Sequence, residues 1–328
     1  MKKQIIAAAV ATSISAIAMA DVSITGNANY EYFAKEDTTG VKTNYGDTEL
    51  NLKVTGKSGD TTAVVNFEVD TSGTDASTAL DIEDVYITSK IGDINIKAGD
   101  FASGTSALGG EIDNGGRVTN KVSLSTKVGD ATIGYNVDQG SANDTFLTAE
   151  SSVTASMPIA GWTVQVKENS DTATWMGVKG SVAGINARIE QKDSDTASSD
   201  VLFYELGTKF GGMNVSYAAL DADAGGKIAE DDSSTFARSI AGNAYVDGMY
   251  QMKASTDVDG TTVGVRFGEA TGIAGVQDAA FSEISATRKL ASGATLAVQY
   301  DDYESFGIAS GSTMTDTQVF EIDLSVSF

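Results

Sequence analysis

The sequence contains neither cysteine nor histidine, and these two absences exclude several classes of protein. Without cysteine there are no disulfides and no thiol chemistry, so the chain has to be stable without covalent cross-links. Without histidine there is no Ser-His-Asp or Cys-His catalytic arrangement and no histidine-based metal site. Carboxylate pairs remain available, but we expect no enzymatic activity, no cofactor and no metal, and the lack of histidine nearly eliminates a barrel enzyme.

Proline and positive charge are also scarce. Pro158 is the single proline, against 35 glycines, and this scarcity favours a continuous hydrogen-bonded sheet because proline removes a ladder donor. The chain holds 22 basic and 45 acidic residues, a formal net charge of −23. Since phosphate binding needs positive charge, this balance excludes nucleic acid as a partner.

The first 20 residues have the organisation of a signal peptide. Two lysines precede an apolar run over residues 5–17, and Ala18-Met19-Ala20 then supplies a small-x-small cleavage pattern. The run is too short for a membrane-spanning helix, which needs roughly 18 continuous apolar residues, and no later stretch reaches that length. We predict a signal peptide over 1–20 and a mature exported chain over 21–328. Loss of the two leader lysines takes the net charge from −23 to −25.

Both ends of the mature chain alternate between apolar and polar residues. From Phe320 to the terminal Phe328, apolar side chains hold the even positions and polar ones the odd positions, and residues 22–32 alternate in the same way. Successive side chains of a strand point to opposite faces, so each end is a strand with one apolar and one polar face. Closing a sheet into a barrel requires its first and last strands to pair, because that pairing removes the edges.

Between the two ends, tight turns alternate with longer polar connections. Tight turns are predicted at 57–60, 91–93, 128–130, 158–161, 183–184, 211–212, 257–260 and 291–293, where glycine supplies the positive φ of short hairpins. Longer connections are predicted at 34–45, 71–80, 100–118, 139–144, 169–173, 193–200, 220–243, 268–278 and 303–316. This pattern predicts 18 antiparallel strands, or 16 if one hairpin is miscounted. Short turns on one rim and long loops on the other are typical of outer-membrane barrels.

Alternation alone does not say whether the apolar face contacts lipid or a protein core. On residues 162–167, for example, the apolar positions are Trp162, Val164 and Val166, and the polar positions are Thr163, Gln165 and Lys167. A soluble β-sandwich would bury the apolar set. We favour the lipid-facing interpretation because charged residues recur at mid-strand, many apolar residues are small, and about 18 strands would make a very large sandwich.

Four segments of the mature chain carry a family resemblance. They are residues 21–26 directly after the leader, residues 85–100, residues 285–296 and the closing strand that ends at Phe328. Together with the pattern over the whole mature length, they resemble the general porins of Gram-negative bacteria. Two departures stand out: the Pro-Glu-Phe-Gly motif of enteric constriction loops is missing, and 18 strands exceed the roughly 16 usual in that family.

The resemblance implies a transmembrane antiparallel β-barrel of 16–18 strands whose third long loop folds into the lumen. It also implies contact with outer-membrane lipid, assembly as a homotrimer, and recognition of the terminal aromatic by the assembly machinery. In such porins, loop carboxylates oppose basic wall residues across the narrowest point and set up a transverse field. The corresponding loop residues here are Asp100, Glu111, Asp113 and Arg117, and the wall residues expected from parity and height are Lys53, Lys97 and Lys121. A solvated outer loop and ordinary luminal lysines are the alternatives.

Aromatic residues divide between the two faces. Those on the apolar parity near strand ends, as expected of an interfacial girdle, are Tyr30, Tyr32, Trp162, Tyr250, Tyr300 and Phe328. Those on the luminal parity, Tyr86, Trp175 and Phe203, lie on distant strands, which gives little support to a sugar-binding track.

These observations predict an outer-membrane diffusion channel for small hydrophilic solutes and ions, with a mild preference for cations. The alternative is an acidic secreted surface-layer or adhesin-type structural protein. The lack of a short glycine-aspartate repeat and the terminal aromatic both argue against that alternative.

Overall fold

A computed structural model describes residues 21–37, 40–72, 79–102, 112, 117–138, 150–169, 173–195, 200–223, 246–272, 279–306 and 315–328. The predicted signal peptide lies outside these residues. The strands are, in chain order, β1 (Asp21–Asp37), β2 (Lys42–Ser58), β3 (Thr61–Ser72), β4 (Ala79–Ile91), β5 (Ile94–Ala102), β6 (Arg117–Val128), β7 (Ala131–Asp138), β8 (Glu150–Ile159), β9 (Trp162–Asn169), β10 (Ala173–Val182), β11 (Ile185–Ser194), β12 (Val201–Phe210), β13 (Met213–Ala222), β14 (Val246–Val258), β15 (Thr261–Gly272), β16 (Ala279–Lys289), β17 (Thr295–Phe306) and β18 (Thr315–Ser327).

The described residues form one 18-stranded sheet that closes on itself. Each strand pairs antiparallel with its neighbours in chain order, and β1 pairs with both β2 and β18. The larger of the two predicted strand numbers is therefore confirmed. A closed sheet of this size has no open edge, because every strand has a partner on both sides.

The eight tight turns fall where the glycine pattern predicts them. One of these turns joins β14 to β15, where the Asp257 carboxylate accepts the Gly260 N–H at 3.0 Å. Gly260 has a φ of 77°, which a residue with a side chain rarely adopts. The eight turns lie at the rim where β1 begins and β18 ends, so each longer connection joins strand ends at the other rim.

The first long connection is shorter than predicted. Residues 34–45 were expected to form a loop, but β1 extends to Asp37 and β2 begins at Lys42. Polar partners hold this extension, since Lys42 lies 3.0 Å from Glu36 and the Asp37 carboxylate accepts the Val41 N–H at 3.0 Å. The polar composition of these residues predicts a loop. They form strands nevertheless, because a strand that extends beyond the lipid needs no apolar outer face.

The outer surface carries the apolar side chains, as the lipid-facing interpretation requires. On β18, Leu324 is 43 % exposed and Phe328 is 60 % exposed, and their odd-numbered neighbours point into the barrel. Several predicted girdle aromatics also lie on this surface. Trp162, for example, covers Gly180 so closely that a Cβ there would lie 2.5 Å from the indole. In the part of the chain that the structure describes, no helix is long and apolar enough to cross a membrane.

Candidate functional site

A basic cluster lies on the luminal wall at β5 and β6. Lys97 pairs with Ser123, and Lys121 lies two residues before Ser123 on the same face of β6. The apolar Ile96–Leu124 pair belongs to the opposite, outer face, so both lysines face the lumen. The Lys97 Nζ atom is 4.0 Å from the ring centroid of Tyr86 and 3.9 Å from that of Phe101. The Lys121 Nζ atom is 5.5 Å from the same Phe101 ring. Two cations therefore lie beside one aromatic ring, an arrangement that cation–π attraction stabilises when the cations are partly desolvated.

Lys97 interacts electrostatically with the other two wall lysines predicted from the sequence. Lys97 is repelled electrostatically by Lys121 and Lys53 and attracted by Asp84. Lys121 is buried, with 3 % of its surface exposed. Neighbouring like charges, one of them buried, favour the approach of an anion or of a facing carboxylate.

Phe101 belongs to this cluster because it has the same parity on β5 as Lys97, next to a β-bulge in the β5–β6 pairing. Gly99 has a φ of 135°, and the β5–β6 register shifts between Gly99 and Phe101. A Cβ on Gly99 would lie 2.1 Å from the Val85 carbonyl oxygen, so only glycine fits the bulge. The extra residue of the bulge lies on β6, where three steps from Lys121 to Val118 oppose two steps from Gly99 to Phe101. The Phe101 ring lies beside Tyr86, with 5.8 Å between their centroids.

The predicted residues of the third loop differ in where the structure places them. Asp100 pairs with the outward-facing Val85, and its carboxylate accepts the Asn120 N–H at 2.7 Å. Arg117 begins β6 and pairs with Ala102 in the backbone register. Glu111 and Asp113 lie outside the described residues.

Ile112, the described residue between Ala102 and Arg117, lies inside the barrel. It is 8 % exposed and belongs to one cluster with luminal residues of β12 to β17, such as Phe203 and Tyr303. A residue between β5 and β6 joins that cluster only from inside the barrel. The predicted inward-folded third loop is thus confirmed.

Carboxylates dominate one side of the lumen, which we call the acidic arc. Its members are Glu31 on β1, Asp47 and Glu49 on β2, Glu68 and Asp70 on β3, Asp81 on β4, and Glu321 and Asp323 on β18. Several are directly opposite one another across neighbouring strands, including Glu49 with Asp70 and Glu68 with Asp81. Like charges in such positions destabilise a sheet unless water and counter-ions screen them, so the acidic arc is suited to a solvated, cation-rich lumen. Among the described side chains, no group of three or more acidic residues is arranged to hold a metal ion.

Cations line the other side of the lumen, which we call the basic arc. Its members are Lys97 on β5, Lys121 on β6, Lys167 on β9, Lys179 on β10, Arg188 and Lys192 on β11, Lys209 on β12 and Lys253 on β14. A cavity of about 850 Å³ lies against this arc, and Lys179, Arg188, Lys209 and Lys253 contribute to its lining. Arg188 is held by Glu205 at 3.1 Å and by Glu190 at 3.7 Å.

Aromatic rings support the basic arc as well. The Lys167 Nζ atom is 4.3 Å from the Trp175 ring centroid, and the Arg188 Cζ atom is 4.6 Å from that of Phe203. Trp175 also packs against the buried cluster that contains Phe203. These two aromatics, which appear scattered in the sequence, therefore lie on one wall of the lumen, whereas Tyr86 lies with Phe101 on β4 and β5.

Comparison with known proteins identifies the fold. Neither a protein-family model nor a curated protein sequence matches this chain. Among solved structures, Pseudomonas aeruginosa OpdO is similar over 94% of this chain and 97% of its own, at 11% identity and a TM-score of 0.65. Pseudomonas aeruginosa OpdQ is similar over 94% and 99%, at 11% identity and a TM-score of 0.66.

The outer membrane protein OpdK of Pseudomonas aeruginosa is similar over 93% of this chain and 98% of its own, at 9% identity and a TM-score of 0.65. Identities this low establish a common architecture and leave substrate and partners open. The chain has the fold of these Pseudomonas aeruginosa proteins, a closed antiparallel β-barrel of outer-membrane type.

Proposed function

We propose that this protein is an outer-membrane channel through which small hydrophilic solutes and ions diffuse passively. The observation that carries the proposal is the division of the barrel into an apolar outer surface and a lumen lined by charged arcs of opposite sign. An apolar outer band is stable only against lipid, and a charged lumen is stable only when it is filled with water. The channel needs no reaction and no cofactor.

The two arcs support a transverse field across the lumen. The acidic arc on β18 to β4 faces the basic arc on β5 to β14, so a solute crossing between them passes through an oriented field. Small dipolar molecules align in such a field. A large apolar molecule instead has to displace the water that the field orients, and it makes no polar contacts in return. The mild cation preference that we propose rests on the mature net charge of −25 and on the acidic arc, and it should weaken as salt shortens the Debye length.

The constriction that we propose lies between the third loop and the β5–β6 wall. Lys97 and Lys121 form the basic side, with Lys53 on β2 as its third proposed member, and Glu111, Asp113 and Arg117 are the loop residues proposed to face it. The structure adds Phe101 as the aromatic support of both lysines. Asp100 is the least favoured member, because its carboxylate already accepts a backbone N–H at the strand end.

Three further proposals concern the export and assembly of the protein. We propose that residues 1–20 are cleaved as a signal peptide, that Phe328 is read during insertion, and that the protein assembles as a homotrimer. The small outer faces of β1 and β18, including Gly26, Ala28 and Val326, would pack one subunit against the next. Crosslinking in native membranes tests the trimer, and recovery of monomers alone would contradict it.

The alternative of a secreted structural protein is not favoured. Such a protein would have to bury the apolar outer surface, which includes Ile284 at 60 % exposure and Phe210 at 75 %. Extraction separates the two: the channel requires detergent, whereas a secreted surface protein washes off in buffer.

Reconstitution into a planar lipid bilayer tests the proposed function. The purified protein should produce discrete, stepwise increases in current with long open times. Insertion without any current would contradict the proposal.

A further inference from the structure

An apolar band crosses part of the luminal wall, where a water-filled channel is expected to be polar. Its members are Val201 and Phe203 on β12, Ala218, Leu220 and Ala222 on β13, Met249 on β14, Ala270 on β15, Phe281 on β16 and Tyr303 on β17. Four of them follow one another across the sheet as direct partners, in the order Phe203, Leu220, Met249 and Ala270. The band is therefore continuous.

Each member of the band is buried. Phe203 and Ala270 have no exposed surface, and Leu220 is 2 % exposed. On the luminal face of a wide barrel, side chains can be buried in this way only if other groups inside the barrel cover them. Apolar groups in water associate without needing directional contacts, so an apolar side chain is the natural cover.

Ile112 of the third loop is such a side chain. It is the member of the cluster that does not lie on the wall, and its own burial to 8 % shows that its surface is shared with the cluster. The loop leaves from β5 and returns to β6, whereas Met249 and Ala270 lie on β14 and β15. In an 18-stranded ring these strand pairs are nine positions apart, which is the opposite side of the barrel.

The wall is shaped to form this band. A Cβ on Gly268 would lie 2.1 Å from the Tyr250 carbonyl oxygen and 2.7 Å from the Phe281 ring, so the absence of a side chain leaves the ring room to lie against the sheet. Ala270 and Ala218 keep the neighbouring wall positions small, beside the larger Phe203 and Leu220. The result is a shallow apolar recess in an otherwise charged lumen.

We propose that Ile112 is the positioning residue that anchors the third loop across the lumen, with the apolar band as its receptor. This inference rests on the proposed channel function and names what fixes the width of the pore. Water and permeating ions would compete for the partners of a polar or ionic anchor, and the strength of such an anchor would change with salt concentration. An apolar anchor escapes that competition, so the loop keeps its position while charged solutes pass beside it.

Single-channel recording on Ile112 variants tests the anchor. Ile112→Asn keeps the approximate side-chain size and removes the apolar contact, and Ile112→Leu is the matched control that retains it. Ile112→Asn should raise the open conductance roughly twofold, because conductance follows the open cross-section at the narrowest level. It should also add current noise, and the increase should persist at low and high salt. Ile112→Leu should behave as the wild type does.

A substitution on the wall side makes the test independent of the loop. Met249→Gln introduces a polar side chain of similar length beside Gln251, a polar residue that the same wall already buries. It should raise the conductance in the same direction, and the double variant should add little to either single change, because both remove one contact.

The outcomes separate the two proposals. Absence of current from the wild-type protein would contradict the channel function itself. Wild-type channels with unchanged conductance in Ile112→Asn, or fully additive effects of Ile112→Asn and Met249→Gln, would overturn the anchor and leave the channel function standing.

Discussion

Gly26 and Phe328 exchange two backbone hydrogen bonds, each 2.9 Å long, and so join the start of the first strand to the end of the chain. A Cβ on Gly26 would lie 3.0 Å from the Phe328 ring, so the terminal aromatic rests on the glycine at the closing seam. The last residue of the chain is thus both an exposed apolar side chain on the outer surface and part of the ladder that closes the barrel.

Replacing Phe328 with Ser should reduce insertion into the outer membrane. The change removes an aromatic side chain whose contact with lipid is worth about 1.5–3 kcal/mol, together with the proposed assembly signal. Phe210→Ser is the control, since Phe210 is even more exposed on the outer surface but lies at an internal turn. The heat-modifiable fraction in membrane extracts should fall for Phe328→Ser much more than for Phe210→Ser. Equal losses would show that the terminal position has no special role.

Neutralising Lys53 and Lys121 together, each by replacement with Gln, should raise cation preference. Lys121 is buried beside Lys97 and Phe101, so removing charge there lowers the positive potential of the proposed constriction wall. Zero-current potentials in a salt gradient report the change. Lys289→Gln, at an exposed strand end, is the control and should leave the potential close to that of the wild type.

Neutralising Glu111 and Asp113 together should have the opposite effect. If these loop carboxylates face the basic wall, their loss weakens the transverse field and makes the constriction less attractive to cations. The same potential measurement should shift toward anions, and the shift should shrink at high salt. A potential that moves for neither double variant would place the constriction elsewhere.

Gly268→Ala should destabilise the barrel by about 1–3 kcal/mol, as expected when a methyl group is forced into a packed site. The added Cβ would meet a backbone oxygen at 2.1 Å. Gly207→Ala is the matched control, because Gly207 also lies on a luminal strand face and its Cβ would meet its nearest atoms at 3.7 Å. The temperature at which the folded band is lost on gels should drop for Gly268→Ala and stay unchanged for Gly207→Ala.

The strand pattern was largely predictable because each hairpin depends on local chemistry. Glycine marks all eight turns and aspartate accompanies it in four of them, and period-two alternation separates the outer face of β18 from its luminal face. The ends of β1 and β2 were predicted as a loop because they lack apolar alternation. Polar pairs such as Glu36 and Lys42 hold these strand ends instead.

The luminal site was predictable only in part. Parity predicted that Lys53, Lys97 and Lys121 face the lumen, because a charged residue at mid-strand has to face the water. Phe101 was missed because it falls within the predicted long connection over 100–118, so its shared parity with Lys97 on β5 was not considered. The apolar band was missed for a different reason: Phe203 lies between Leu202 and Tyr204, so apolar residues occupy both faces and alternation gives no signal. Its members come together only when distant strands close into a ring.

The most direct test of the central claim uses two adjacent residues on opposite faces of β8. The natural chain has no cysteine, so Thr154→Cys and Val153→Cys each introduce a single thiol by a change of similar size. Thr154 pairs with Gly134 and Lys167 on the luminal face, whereas Val153 is 49 % exposed on the outer face. A charged, membrane-impermeant thiol reagent should reduce the single-channel current and shift the zero-current potential of Thr154→Cys, and should leave Val153→Cys unchanged. Modification of the current in Val153→Cys but not in Thr154→Cys would contradict a conducting path through the barrel lumen.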